Sequence, residues 1–131
     1  MKQIPHFVII DDDRINNSIC KMLINKLFNE VNVVDFTMPN EGLDYIISTY
    51  NKSENKAAIL LLDINMPIMS GWDFLEKFSH FDDIFKNKFN IYIVSSSIDY
   101  SDIELAKSNK YVTGFLSKPL TKEALLSLVE N

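Results

Sequence analysis

Two spacings of apolar residues alternate along this chain: short unbroken runs of strand type, and longer segments in which apolar positions recur every three to four residues. The first run, HFVIIDDD from His6, reads as a buried strand ending in acids. Ile15, Ile19, Met22, Leu23 and Leu27 follow at i, i+4, i+7, i+8 and i+12, which predicts the apolar face of a helix. VNVVDF is a second strand. Pro39 opens a second helix carrying Leu43, Ile46, Ile47 and Tyr50, since proline is tolerated in a first turn. The polar stretch NKSENK is a loop within YNKSENKAA, somewhat longer than most connections, which a surface loop tolerates cheaply.

Ala57 to Leu62 is apolar without helical spacing, as a strand covered on both faces requires, and it ends on Asp63. A loop through Pro67 leads to Ser70-Gly71-Trp72-Asp73, which has the form of a capping box before Phe74, Leu75 and Phe78. NIYIVSS is a fourth strand. DYSDIELAKSNK is a polar, exposed helix starting at Asp99 or Ser101, VTGFLS is a fifth strand, and Thr121 caps KEALLSLVE. Strands joined by helix-length segments imply right-handed crossovers and a parallel sheet with helices on both faces. The expected fold is therefore α/β, flavodoxin-like, with five parallel strands in the order 2-1-3-4-5 and five helices.

Composition narrows the class. With 131 residues, 47% hydrophobic and 24% charged, the chain fits one domain, residues 1–131 with a core from about 7 to 129 and no output domain. No apolar run approaches the ~20 residues that span a bilayer, and MKQIPHF lacks a signal-peptide core, so a cytoplasmic protein without membrane insertion is expected. The single Cys20 makes no internal disulfide and reads as a small packing residue; His6 and His80 sit in no motif. A net charge of −5 argues against a nucleic-acid partner.

The expected strand order changes the meaning of the acids. It sets the carboxyl ends of the first and third strands side by side at the point where ligands bind in open α/β sheets. Asp11 and Asp12 then meet Asp63, because adjacent strands lie ~4.8 Å apart. Converging carboxylates repel one another, so at least one pKa rises unless a cation neutralises them. An all-oxygen site suits a hard divalent ion, Mg²⁺ or Mn²⁺, and Mg²⁺ commonly takes phosphate oxygens as further ligands. Ser95 after the fourth strand and Lys118 after the fifth offer a hydroxyl donor and a point charge. Asp13 reads as the N-cap of the first helix.

VIIDDD, LLLDINMPIMSGWDFL, VSSS and FLSKPL together closely resemble the receiver domain of two-component response regulators, of the single-domain, chemotaxis-regulator (CheY-like) type, over about Phe7 to Val129. The resemblance implies a signalling phosphoacceptor rather than an enzyme acting on other substrates. Asp63 would take a phosphoryl group from a sensor histidine kinase or histidine phosphotransfer protein, assisted by Lys118 and Ser95. Asp12, Asp63 and the backbone carbonyl of Asn65 would bind Mg²⁺ directly and Asp11 through water. Ser95 and Phe115 would form the switch, Asn65 and Ser97 would tune a modest phosphoryl lifetime, and Lys118-Pro119 would be a cis peptide. A downstream protein would dock on the helix after the fourth strand, the fifth strand and the last helix, a surface also compatible with a phosphorylation-dependent homodimer. Two departures stand out: serine at 95 replaces the commoner threonine, and Phe115 replaces the commoner tyrosine.

Two rivals compete. A haloacid-dehalogenase-type phosphatase wants a second acid two residues after its nucleophile, where this chain has Asn65, and it wants a cap segment. A non-phosphorylated pseudo-receiver would act only as a binding module, yet here every acceptor-site position carries competent chemistry. Dinucleotide and P-loop readings fail, since glycine occurs only at 42, 71 and 114.

Overall fold

The apolar runs form strands β1 (His6–Ile10), β2 (Asn32–Phe36), β3 (Ala58–Asp63), β4 (Phe89–Ser95) and β5 (Val112–Ser117) in a computed structural model that describes residues 4–50, 57–96 and 99–129. All pair in parallel, in the order β2-β1-β3-β4-β5. The NKSENK loop and Ser97 lie outside the described residues. Every residue of β3 is buried, as the central strand of a sheet covered on both faces must be.

Among the described residues six helices surround the sheet: α1 (Arg14–Leu27), α2 (Pro39–Tyr50), α3 (Gly71–Phe78), α4 (Asp83–Lys86), α5 (Tyr100–Ser108) and α6 (Lys122–Val129). Two apolar clusters fill the two faces. One gathers α2, α3 and Ala106 of α5; the other gathers Cys20 and Ile24 of α1 with Leu125 and Leu128 of α6. The caps follow the chain chemistry. Asp13 accepts from the amides of Ile15 and Asn16, Ser70 and Asp73 complete a capping box, and Thr121 Oγ1 accepts from the amide of Ala124. Asp99 caps α5, which therefore starts at Tyr100.

Two expectations need correction. Five helices are read from the sequence, but a sixth, the single-turn α4, precedes β4. Asp82 caps it through the amide of Phe85, and Phe85 packs 5.1 Å from Phe89 and 6.1 Å from Phe78 between ring centroids. Four residues are too few to show a period. The apolar face assigned to α1 is also turned away from the sheet: Ile15, Ile19 and Met22 are 74%, 56% and 60% exposed, while Asn17, Cys20 and Ile24 are buried and Leu23 and Leu27 partly so. Helical spacing identifies a stripe but not which stripe meets the core. Here Asn17, whose amide donates to the Asp11 carbonyl, faces inward with Cys20 and Ile24.

Candidate functional site

Asp11 and Asp63 are brought together by register. Ile10 pairs with Leu62, so the residue after β1 lies beside the residue that ends β3. One carboxylate oxygen each from Asp11, Asp12 and Asp63 falls within 4.8 Å of the others, with Asp11 and Asp63 buried and Asp12 exposed. On the other side of β3, Asp63 pairs with Val94, which places the fully buried Ser95 at the next step along β4. The loop after β5 is tied back to this edge, because the Lys118 amide donates to the Ser95 carbonyl at 2.9 Å. The Lys118–Pro119 bond is cis.

Lys118 reaches into the acids. Its Nζ lies 2.6 Å from Asp11 Oδ2 and 3.6 Å from Asp63 Oδ1. Burial pulls its pKa down, but the hydrogen bond and charge of Asp11, followed by those of Asp63, outweigh burial and hold the ammonium above its usual range. Asp63 shows the strain expected of converging acids. Burial, then the charge of Asp11, push it up to about 6, against Lys118 and a backbone hydrogen bond from Asn65, which lower it. One ammonium leaves the cluster incompletely neutralised. An all-carboxylate donor set with one exposed member fits a hard divalent cation.

Asp11 is held from every side. Its Oδ1 accepts from the Asp13 amide at 2.9 Å, and its Oδ2 accepts from Asn16 Nδ2 at 3.0 Å as well as from Lys118. Its carbonyl accepts from Asn17 Nδ2 at 2.9 Å. Asn17 is fully buried, and among the described residues its Oδ1 has no hydrogen-bond partner. Asn16 and Asn17 are absent from the sequence-derived site. Their signal was two consecutive asparagines, poor helix formers, inside a first helical turn next to the acids.

Asn65 is exposed and lines, with Asp12, Met66, Pro67 and Trp72, an open cavity of about 540 Å³ beside the acids. Trp72 Nε1 donates to Asp102 across this cavity at 3.2 Å, joining α3 to α5. Phe115 is half-buried against the core, neither sealed in nor free in solvent. Cys20 is an inert packing residue, its thiol pushed up to about 11 by burial and then by Asp11.

Gly71 lets α3 begin directly against the site. A Cβ there would lie 2.7 Å from the Asp63 carbonyl oxygen and 3.0 Å from Ile64 Cα, both backbone atoms that cannot swing aside. We expect Gly71→Ala to destabilise the protein by about 1–3 kcal/mol in denaturant unfolding, the cost of overpacking.

Known proteins match this arrangement throughout. The family model for the response regulator receiver domain matches residues 7–130. A two-component response regulator from Cytophaga hutchinsonii superposes with a TM-score of 0.86 at 29% identity, over 97% of this chain and 95% of that one. A response regulator receiver protein from Dyadobacter fermentans gives 0.84 at 26% identity, over 94% and 93%. Among curated proteins, the autoinducer 1 sensor kinase/phosphatase LuxN of Vibrio campbellii is 26% identical over 129 residues, 98% of this chain but 14% of that protein. The chain thus spans about one-seventh of the length of that relative. Among the described residues no helix is long and apolar enough to cross a membrane. A family match over almost the whole chain, on a sheet whose order gathers three acids and a lysine at one edge, shows that this protein belongs to the response regulator receiver domains of two-component systems.

Proposed function

We propose that the chain accepts a phosphoryl group on Asp63 from a histidine kinase or histidine phosphotransfer protein. The observation that carries this reading is the position of Lys118 Nζ between Asp11 and Asp63 in a pocket of three carboxylates. A carboxylate oxygen of Asp63 attacks the phosphorus of a phosphohistidine; the new O–P bond forms as the P–N bond breaks, and the imidazole leaves with the bonding pair. Asp63 needs no general base, because its pKa of about 6 leaves it mostly ionised at pH 7. Lys118 is placed to move from Asp11 toward the transferred oxygens, and such fixed charge carries most of the rate in phosphoryl transfer. Asp12, Asp63 and the Asn65 carbonyl would hold Mg²⁺ directly and Asp11 through water, and the ion when bound supplies charge neutralisation at the phosphoryl oxygens. The chain catalyses only its own phosphorylation and dephosphorylation.

The switch follows from Ser95 and Phe115. A phosphoryl oxygen on Asp63 offers the Ser95 hydroxyl a new acceptor, the loop after β4 draws in, and the half-buried Phe115 repacks on β5. The surface of α5, β5 and α6 then docks a downstream protein or a second copy of the chain. Asn65 and Ser97 tune the lifetime of the acyl phosphate. The same reading places the chain in the cytoplasm.

The donor requires a docking face beside Asp63. Ile15 and Ile19, exposed on the helix whose first turn holds Asp11, supply an apolar one. Ile15→Asp combined with Ile19→Asp should slow transfer from a phosphorylated protein donor about tenfold or more while leaving modification by a small phosphodonor within about twofold, a split that parallel kinetics would read.

The proposal is tested by intact mass after incubation with a small phosphodonor and Mg²⁺. A single phosphoryl adduct that is lost with excess chelator is expected. Equal labelling with and without chelator, or multiple-turnover hydrolysis of unrelated phosphate esters, would refute it.

A further inference from the structure

Asp11, just after β1, is held by the Asp13 amide and by Lys118, and α1 adds a side-chain donor of its own, Asn16. We infer that Asn16 is a positioning residue for the cation site, keeping the Asp11 carboxylate in place when Lys118 leaves it; this rests on the proposed function above. Asp11 Oδ2 is shared by two donors, Lys118 Nζ at 2.6 Å and Asn16 Nδ2 at 3.0 Å. As Lys118 turns toward a phosphoryl group on Asp63, now 3.6 Å away, its hold on Oδ2 loosens. With Asn16 present, that oxygen keeps a neutral donor that never competes for the transferred charge. Without it, Asp11 has only the Asp13 amide on Oδ1 and is free to rotate about its side-chain bonds.

Asn17 completes the bracket from below by binding the Asp11 carbonyl. It is a polar side chain at a fully buried, core-facing position of α1. The stripe Asn17, Cys20 and Ile24 is less apolar than the stripe left in solvent, and both asparagine amides at the helix start donate to Asp11. Groups that hydrogen-bond a metal-ligating carboxylate orient it, and losing one commonly weakens binding about 10–100-fold.

The test uses Mg²⁺ alone, titrated calorimetrically into the full chain as wild type, Asn16→Leu, Asn16→Gln and Asp12→Asn, with metal-free unfolding of each. Asn16→Leu should weaken Mg²⁺ binding about tenfold while its metal-free unfolding temperature falls little, because Asn16 is partly exposed. Asn16→Gln keeps a donor and should recover most of the affinity. A merely structural role would instead lower the unfolding temperature and leave the affinity unchanged. Wild-type affinity in Asn16→Leu, or no recovery in Asn16→Gln, would overturn the inference. A wild type that binds Mg²⁺ no better than Asp12→Asn would overturn the underlying site reading instead.

Discussion

Asp63→Asn should abolish the phosphoryl adduct and, in the same molecule, stabilise the metal-free protein at neutral pH. The first effect is loss of the nucleophile; an amide oxygen cannot form the acyl phosphate, and labelling should fall by at least ~1000-fold. The second follows from the raised pKa. Asp63 is held at about 6 in the folded chain against 3.8 for the free group, so between these values the folded state binds more protons than the unfolded one. Stability therefore declines as pH rises through that window, and the penalty is complete above about pH 6. Asparagine carries no charge and removes it, for a gain of about 1–3 kcal/mol at pH 7 that vanishes near pH 4. Thermal unfolding with chelator across pH 4 to 7.5 would measure the difference. Saturating Mg²⁺ should reverse the ranking, since only the wild type keeps all three carboxylates. A substitution that destabilised equally at all pH values would mean that Asp63 is a structural acid.

Lys118→Met should give the second large effect. The ammonium counters two buried carboxylates at 2.6 Å and 3.6 Å, and removing one side of such a cluster leaves charge without a partner. The metal-free protein should lose about 3 kcal/mol. Addition of Mg²⁺ should restore most of that stability, because the cation replaces the missing charge. It should not restore the rate. With Mg²⁺ saturating, phosphorylation by a small donor should remain about 100–1000-fold slow, since a fixed donor at the transferred oxygens is worth that much. Recovery of both together would reduce Lys118 to a counter-ion.

The fold was legible because its signals were redundant. β3 is apolar at every position before Asp63, as a strand covered on both faces is, and the alternation of strands with helix-length segments pointed to the order in which Asp11, Asp12 and Asp63 meet. Caps at Asp13, Ser70 and Thr121 were equally readable, being local chemistry between a side chain and amides two or three residues away. What escaped depended on how side chains meet in space, which the spacing of apolar residues does not report. Nothing in the spacing of Ile15, Ile19 and Met22 says that they face solvent while the polar Asn17 turns inward to the Asp11 carbonyl. α4 is held by Phe81 and Phe85 packing with Phe78 and Phe89, and its four residues are too few to show a helical period. The role of Asn16 lies in the second donor it gives Asp11 Oδ2, a contact that its place in a helical turn does not specify.

The most direct measurement is chemical location of the phosphoryl group. Borohydride cleaves an aspartyl phosphate and leaves homoserine at the modified position, so peptide mass spectrometry of the phosphorylated, reduced protein reads the acceptor. Homoserine at position 63 and at no other aspartate is the predicted result. Homoserine at 11 or 12, or a phosphoryl group that survives reduction on a serine, would contradict it.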